Sequence, residues 1–129
     1  MKDLKLTVRI SKPIREVFEF TTNPANTAKW IDSVAGERAD SFPPEIGTVY
    51  QNWDATGKIN EYKVSQYEPQ RVFQLDATHQ DHKVRYTYTP LSAEETELEY
   101  YEWSESDQLH APFMQEILDK LKEVMEART

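Results

Sequence analysis

APFMQEILDKLKEVMEA, residues 111–127, is the stretch whose reading decides the fold. Phe113, Ile117, Leu121 and Val124 recur at helical spacing, and Met114, Leu118 and Met125 widen the stripe. Gln115, Glu116, Lys120, Lys122 and Glu123 take the other side. Pro112 suits a first helical turn, where its missing N–H costs least. The spacing predicts one long amphipathic helix over Ala111–Ala127. Nearly everything from Val49 to Trp103 reads as strand, so this helix is expected to lie as a lid on a sheet.

Working back from the lid, Lys83 to Thr89 alternates, with Val84, Tyr86 and Tyr88 on one face and Arg85, Thr87 and Thr89 on the other. Thr96 to Trp103 continues the pattern with Leu98 and Tyr100 inward. Thr48–Asp54, Lys58–Tyr67 and Arg71–Ala77 are three further strands. They are joined by turns at Thr56-Gly57 and Glu68-Pro69-Gln70, and the polar Thr78–His82 stretch is a hairpin loop. Such short connections make antiparallel neighbours. Near the start, Leu4, Leu6, Val8 and Ile10 alternate with charged residues and predict a half-buried strand. Ser11 as cap and Pro13 in the first turn open a short helix carrying Ile14, Val17, Phe18 and Thr21. Asn23-Pro24 opens a second, reaching Trp30-Ile31. Asp32 to Pro44 reads as irregular. The class is α+β: a curved antiparallel sheet, two short helices after the first strand, and a long C-terminal helix.

The chain of 129 residues is long enough for one domain with one core. The hydrophobic share is only 38%, so seven Tyr, five Phe and three Trp must supply much of that core. No cysteine is present, which removes thiolate chemistry and disulfides and favours a reducing, cytoplasmic setting. The alternating first ten residues do not read as a signal peptide, and no run approaches a membrane span. A net charge of −8 argues against nucleic-acid binding. Three glycines rule out G-x-G-x-x-G and P-loop fingerprints, and no G-x-S-x-G or H-E-x-x-H occurs. No cofactor is implied.

In Ile10-Ser11-Lys12-Pro13-Ile14-Arg15-Glu16-Val17-Phe18, then Thr22-Asn23-Pro24 and Lys29-Trp30, the chain resembles the START/polyketide-cyclase superfamily, the helix-grip proteins typified by the birch pollen allergen. Gly47-Thr48, Val64, Tyr67-Glu68-Pro69, Arg71, Tyr86-x-Tyr88-Thr89-Pro90 and Thr96-x-Leu98 continue the match over nearly the whole chain. Its style is that of small bacterial polyketide cyclase/dehydrase-like members. The resemblance implies a cavity between the concave face of the sheet and the last helix, where members hold lipids, polyketides or other hydrophobic molecules. It carries no universal catalytic motif. By position it puts Phe73, Leu75, Val84, Tyr86, Tyr88, Leu98 and Tyr100 in the cavity, with Met114, Ile117, Leu118 and Leu121 on the helix. The family register points Tyr50 and Asn52 inward, whereas Val49 and Trp53 are the more apolar set. Trp30 forms the cavity mouth or anchors its helix to the sheet.

Tyr50, Tyr86, Tyr88 and Tyr100 are the main functional signal. A filled core would use Leu, Ile and Val, because an unpartnered buried hydroxyl costs about 1–3 kcal/mol. Phenols facing a wet or ligand-filled space are satisfied; alternatively tyrosine is there as a good strand former. Glu61 and Glu102 lie where alternation allows either facing. Inward, a carboxylate in an apolar pocket serves as general acid or base; outward, each is an ordinary solvated residue, which is the expected case. Glu61 is kept as a ligand-facing candidate. His79, Asp81 and His82 carry metal-ligating groups, but on a hairpin tip without a fixed third ligand, so no metal is expected. His110 opens the last helix and reads as a surface residue.

The expected function is binding of a small hydrophobic or aromatic molecule under the last helix. The alternatives are a cyclase- or dehydratase-type enzyme using a cavity acid or base, and a protein-interaction module. A homodimer is compatible with either.

Overall fold

The alternation of Leu4, Leu6, Val8 and Ile10 becomes strand β1 (Lys2–Ile10), with its charged set exposed and its apolar set turned inward. The computed structural model describes residues 1–106, 108–109 and 112–127. Helix α1 (Ile14–Thr22) and a 3₁₀ segment (Pro24–Lys29) follow β1. Then come β2 (Gly36–Ala39), β3 (Val49–Trp53), β4 (Ile59–Glu68), β5 (Val72–Ala77), β6 (Lys83–Ser92), β7 (Glu95–Ser104) and helix α2 (Gln115–Glu126). The strands form one antiparallel sheet in the order β1-β7-β6-β5-β4-β3-β2. Bulges at Val64/Gln66 and Pro90/Ser92 bend β4 and β6. No helix among the described residues is long and apolar enough to cross a membrane.

Several boundaries differ from the sequence reading. Pro13 sits at the N-cap of α1 rather than inside its first turn, and the Ser11 backbone N–H donates to Glu126 Oε2 at 2.7 Å. The second short helix is 3₁₀, opened by Asn23 Oδ1 accepting from Ala25 N. β2 arises inside the stretch read as irregular. Gly36 lets it form: a Cβ there would lie 2.5 Å from Trp53 Cζ2, so only glycine passes beneath that indole.

The last helix begins at Gln115, later than its periodicity predicts. The Phe113 N–H donates to Glu102 Oε1 at 2.7 Å, and its ring stacks on Tyr100 with centroids 4.0 Å apart. These contacts hold the preceding segment out of the helix, with Met114 extended at φ −122°. His110 lies outside the described residues.

Helix α2 lies along β1, which is an edge strand. Gln115 Nε2 donates to Thr7 O at 3.0 Å and Lys122 Nζ to Arg9 O at 2.8 Å, so helix side chains occupy carbonyls of the open edge. Leu118, Leu121 and Met125 are buried beneath the helix. Val17, Phe18 and Phe20 of α1 join the same core at one end of the sheet.

Candidate functional site

Alternation sets what the concave face carries. On β3 and β4 the inward residues are Tyr50 and Asn52, then Asn60 and Tyr62. On β5, β6 and β7 they are Phe73 and Leu75, Val84 and Tyr86, and Tyr100 and Glu102. Because α2 is seated on the β1 edge and α1 fills one end, the middle of this face is left uncovered. A cavity of about 590 Å³ remains there, roofed by Trp30, Ile31, Phe113 and Ile117. Its walls are aromatic: Tyr86 meets Phe73 and Tyr100 at centroid distances of 6.1 and 5.4 Å, and Trp30 meets Phe113 edge-on at 6.1 Å.

At the α1 end the phenols are tied up. Tyr88 Oη lies 2.6 Å from Thr21 Oγ1, and Tyr50 Oη donates to Thr22 O at 2.7 Å. Burial raises both pKa values, so these groups stay protonated. The Tyr86 hydroxyl has no hydrogen-bond partner among the described residues, although Tyr86 is only 7% exposed and lines the cavity. Trp30 Nε1 is a second unpartnered group, sealed from solvent.

The opposite end is polar. Glu102, 1% exposed, accepts from the Phe113 N–H through Oε1 and lies 2.7 Å from His82 Nε2 through Oε2. A carboxylate only accepts, so the imidazole hydrogen sits on Nε2. In the neutral ring His82 Nδ1 is then the acceptor facing Tyr62 Oη at 3.3 Å. Burial, followed by the Glu102 and Glu37 charges, pushes the Tyr62 phenol up to about 12. Tyr62 therefore keeps its proton and donates it to His82. Tyr100 lies against Glu102, and burial and that carboxylate hold its proton in place.

Glu37 closes this end from β2. It accepts from Thr27 Oγ1 at 2.5 Å and more loosely from Asn52 Nδ2 at 3.4 Å, while Asn60 Nδ2 reaches Asn52 Oδ1 at 3.3 Å. Burial raises the Glu37 pKa against the lowering effect of these hydrogen bonds. A folded value above the unfolded one means that stability is fully present below the unfolded carboxylate range and is lost as pH rises through the raised value. Glu37→Gln should therefore gain stability relative to the parent as pH rises above about 4.5, and gain none well below it. Urea midpoints at pH 3.5, 5 and 7 test this; a gain independent of pH would show that Glu37 carries no such penalty.

Of the residues named from sequence, Trp30, Tyr50, Asn52, Phe73, Leu75, Val84, Tyr86, Tyr100 and Ile117 line the cavity. The rest do not. Glu61 faces the convex side, bonded to Gln51 and Thr78. Met114 is 59% exposed, because the helix starts after it. Tyr88, Leu98, Leu118 and Leu121 are buried in the packed core instead. The outward facing expected for Glu102 is also corrected: alternation with Tyr100 puts it inside. His79, Asp81 and His82 do not converge. His79 turns to Glu61, His82 to Glu102, and Asp81 accepts from the backbone of Glu105 and Ser106. Glu37, Tyr62 and His82 were missed as cavity residues. For Tyr62 the signal was available, since alternation places it with Val64.

Set beside known proteins, the chain matches no family profile and no curated sequence. Solved structures match its fold. Protein MLL2253 from Mesorhizobium loti superposes with a TM-score of 0.74 at 17% identity, over 99% of each chain. DynU16, from the dynemicin biosynthetic locus, gives 0.73 at 18% identity, over 96% of this chain and 47% of its own. The di-domain ARO/CYC BexL, from the BE-7585A biosynthetic pathway, gives 0.68 at 11% identity, over 81% of this chain and 36% of its own. At such identities what is shared is the architecture.

Proposed function

We propose that this chain holds a small, largely aromatic or hydrophobic molecule between the sheet and α2. In this reading it is a helix-grip protein of START/polyketide-cyclase type. The observation that carries the proposal is the cavity of about 590 Å³ with the unpartnered Tyr86 hydroxyl on its wall. Ligand pockets are mostly apolar, span roughly 300–1,000 Å³ and carry a few placed polar groups. The likeness to BexL and DynU16 supports the reading, since both come from biosynthetic loci or pathways.

Titration with the neutral fluorophore N-phenyl-1-naphthylamine should give saturable, one-site enhancement. Tyr86→Trp, which fills the space beside Tyr100 and Phe73, should weaken it at least tenfold with the fold retained by circular dichroism. Absence of saturation with the parent protein would refute the proposal.

A second reading is favoured by one observation, the Tyr62–His82–Glu102 line. A buried carboxylate orients the imidazole and leaves Nδ1 as the proton acceptor behind a cavity phenol, the arrangement a cyclase- or dehydratase-type acid–base step needs. His82→Ala would then abolish turnover of a cyclisable poly-β-carbonyl probe while leaving N-phenyl-1-naphthylamine binding intact.

A further inference from the structure

We infer that the polar end of the cavity selects a ligand bearing a positive charge with N–H donors, an aromatic or alkyl amine, over one bearing a carboxylate. This rests on the binding reading above and specifies the ligand's head group.

The His82 Nε2 hydrogen is engaged by Glu102, and the Tyr62 hydrogen is directed at His82 Nδ1. The Tyr62 oxygen is thereby left with only lone pairs to offer the cavity. Asn52 directs its amide N–H at Glu37 and receives Asn60 on its carbonyl. Each Glu37 oxygen has a single donor and retains a free lone pair. This end therefore presents the Glu37 carboxylate and the Tyr62 oxygen as acceptors.

Charge points the same way. Glu37 and Glu102 sit inside. Lys58 is an exposed residue where it lines the site. A carboxylate ligand would be desolvated against two carboxylates, which is strongly unfavourable. An ammonium would instead meet Glu37, the Tyr62 oxygen and the faces of Tyr86, Tyr100 and Phe113, which attract cations. The Tyr86 hydroxyl, open to the cavity on an otherwise buried side chain and without a partner among the described residues, is an independent sign that a polar ligand atom belongs there. It accepts from an ammonium as readily as it donates elsewhere.

Calorimetric titration at pH 7 and 150 mM salt with three probes sharing one body tests this: 2-naphthylmethylamine, 2-naphthylmethanol and 2-naphthoate. The salt screens attraction to the chain's overall negative charge. The amine should bind at least tenfold tighter than the alcohol, and the carboxylate at least tenfold weaker. Glu37→Gln should cut the amine's advantage to below threefold and leave the alcohol within twofold of its parent value. If the alcohol binds and the carboxylate equals or exceeds the amine, or if the amine's advantage survives Glu37→Gln, the head-group inference falls and the binding reading stands. If none of the three binds, both fall.

Discussion

Leu118→Ala and Leu121→Ala are each expected to lower the unfolding free energy by about 3 kcal/mol, while Ile117→Ala, next door on the same helix, costs about 1 kcal/mol or less. Leu118 and Leu121 are 0% exposed and packed under α2, so truncation leaves cavities that the rigid sheet cannot collapse into. Ile117 is only partly buried and lines the existing cavity. Its methyl groups already border empty space, so removing them forfeits fewer contacts. Urea denaturation with an unchanged m-value gives the comparison. Ile117→Ala should also alter N-phenyl-1-naphthylamine affinity, which the two leucine variants should leave near the parent value where they fold. Equal costs at all three positions would mean that the cavity is closed in solution, and the proposed function would lose its ground.

Much of this arrangement was legible because alternation is a local property. Val84, Tyr86, Leu98 and Tyr100 declare their facing within their own strands, and the period of 3.6 marks Ile117, Leu118 and Leu121 without reference to anything else. What escaped was set by contacts distant in sequence. β2 has four residues and no periodicity; it exists because Gly36 fits beneath Trp53. That same contact, with Arg38 over the indole at 5.9 Å, explains why Trp53 faces outward while the polar Asn52 faces in toward Glu37. His82 reads as a loop residue and Glu102 as a solvated strand residue until the β6–β7 pairing brings them together. The helix start was misjudged for the same reason: the periodicity of Phe113 is helical, but Glu102 and Tyr100 claim it first.

Glu102 is where stability and chemistry separate most sharply. Glu102→Ala should cost about 3 kcal/mol, because it strands the Phe113 N–H and the His82 Nε2–H and releases the entry to α2. Glu102→Gln should cost about 1 kcal/mol or less, since an amide oxygen still accepts from Phe113 and its NH₂ faces His82. The amide, however, reverses the line. Its NH₂ is a donor, so His82 Nε2 must become the acceptor and the ring hydrogen moves to Nδ1. Nδ1 then donates to the Tyr62 oxygen, and Tyr62 turns its own hydrogen into the cavity. One isosteric change thus converts an acceptor at the polar end into a donor and removes a negative charge. The amine probe should lose affinity and the carboxylate probe gain it, in a protein as stable as the parent to within about 1 kcal/mol. Nitrogen-15 shifts of the His82 ring report the tautomer directly. If the ring hydrogen stays on Nε2 in the glutamine variant, or if glutamine destabilises as much as alanine, then Glu102 serves only to hold the segment before α2 and the directional argument for the head group fails with it.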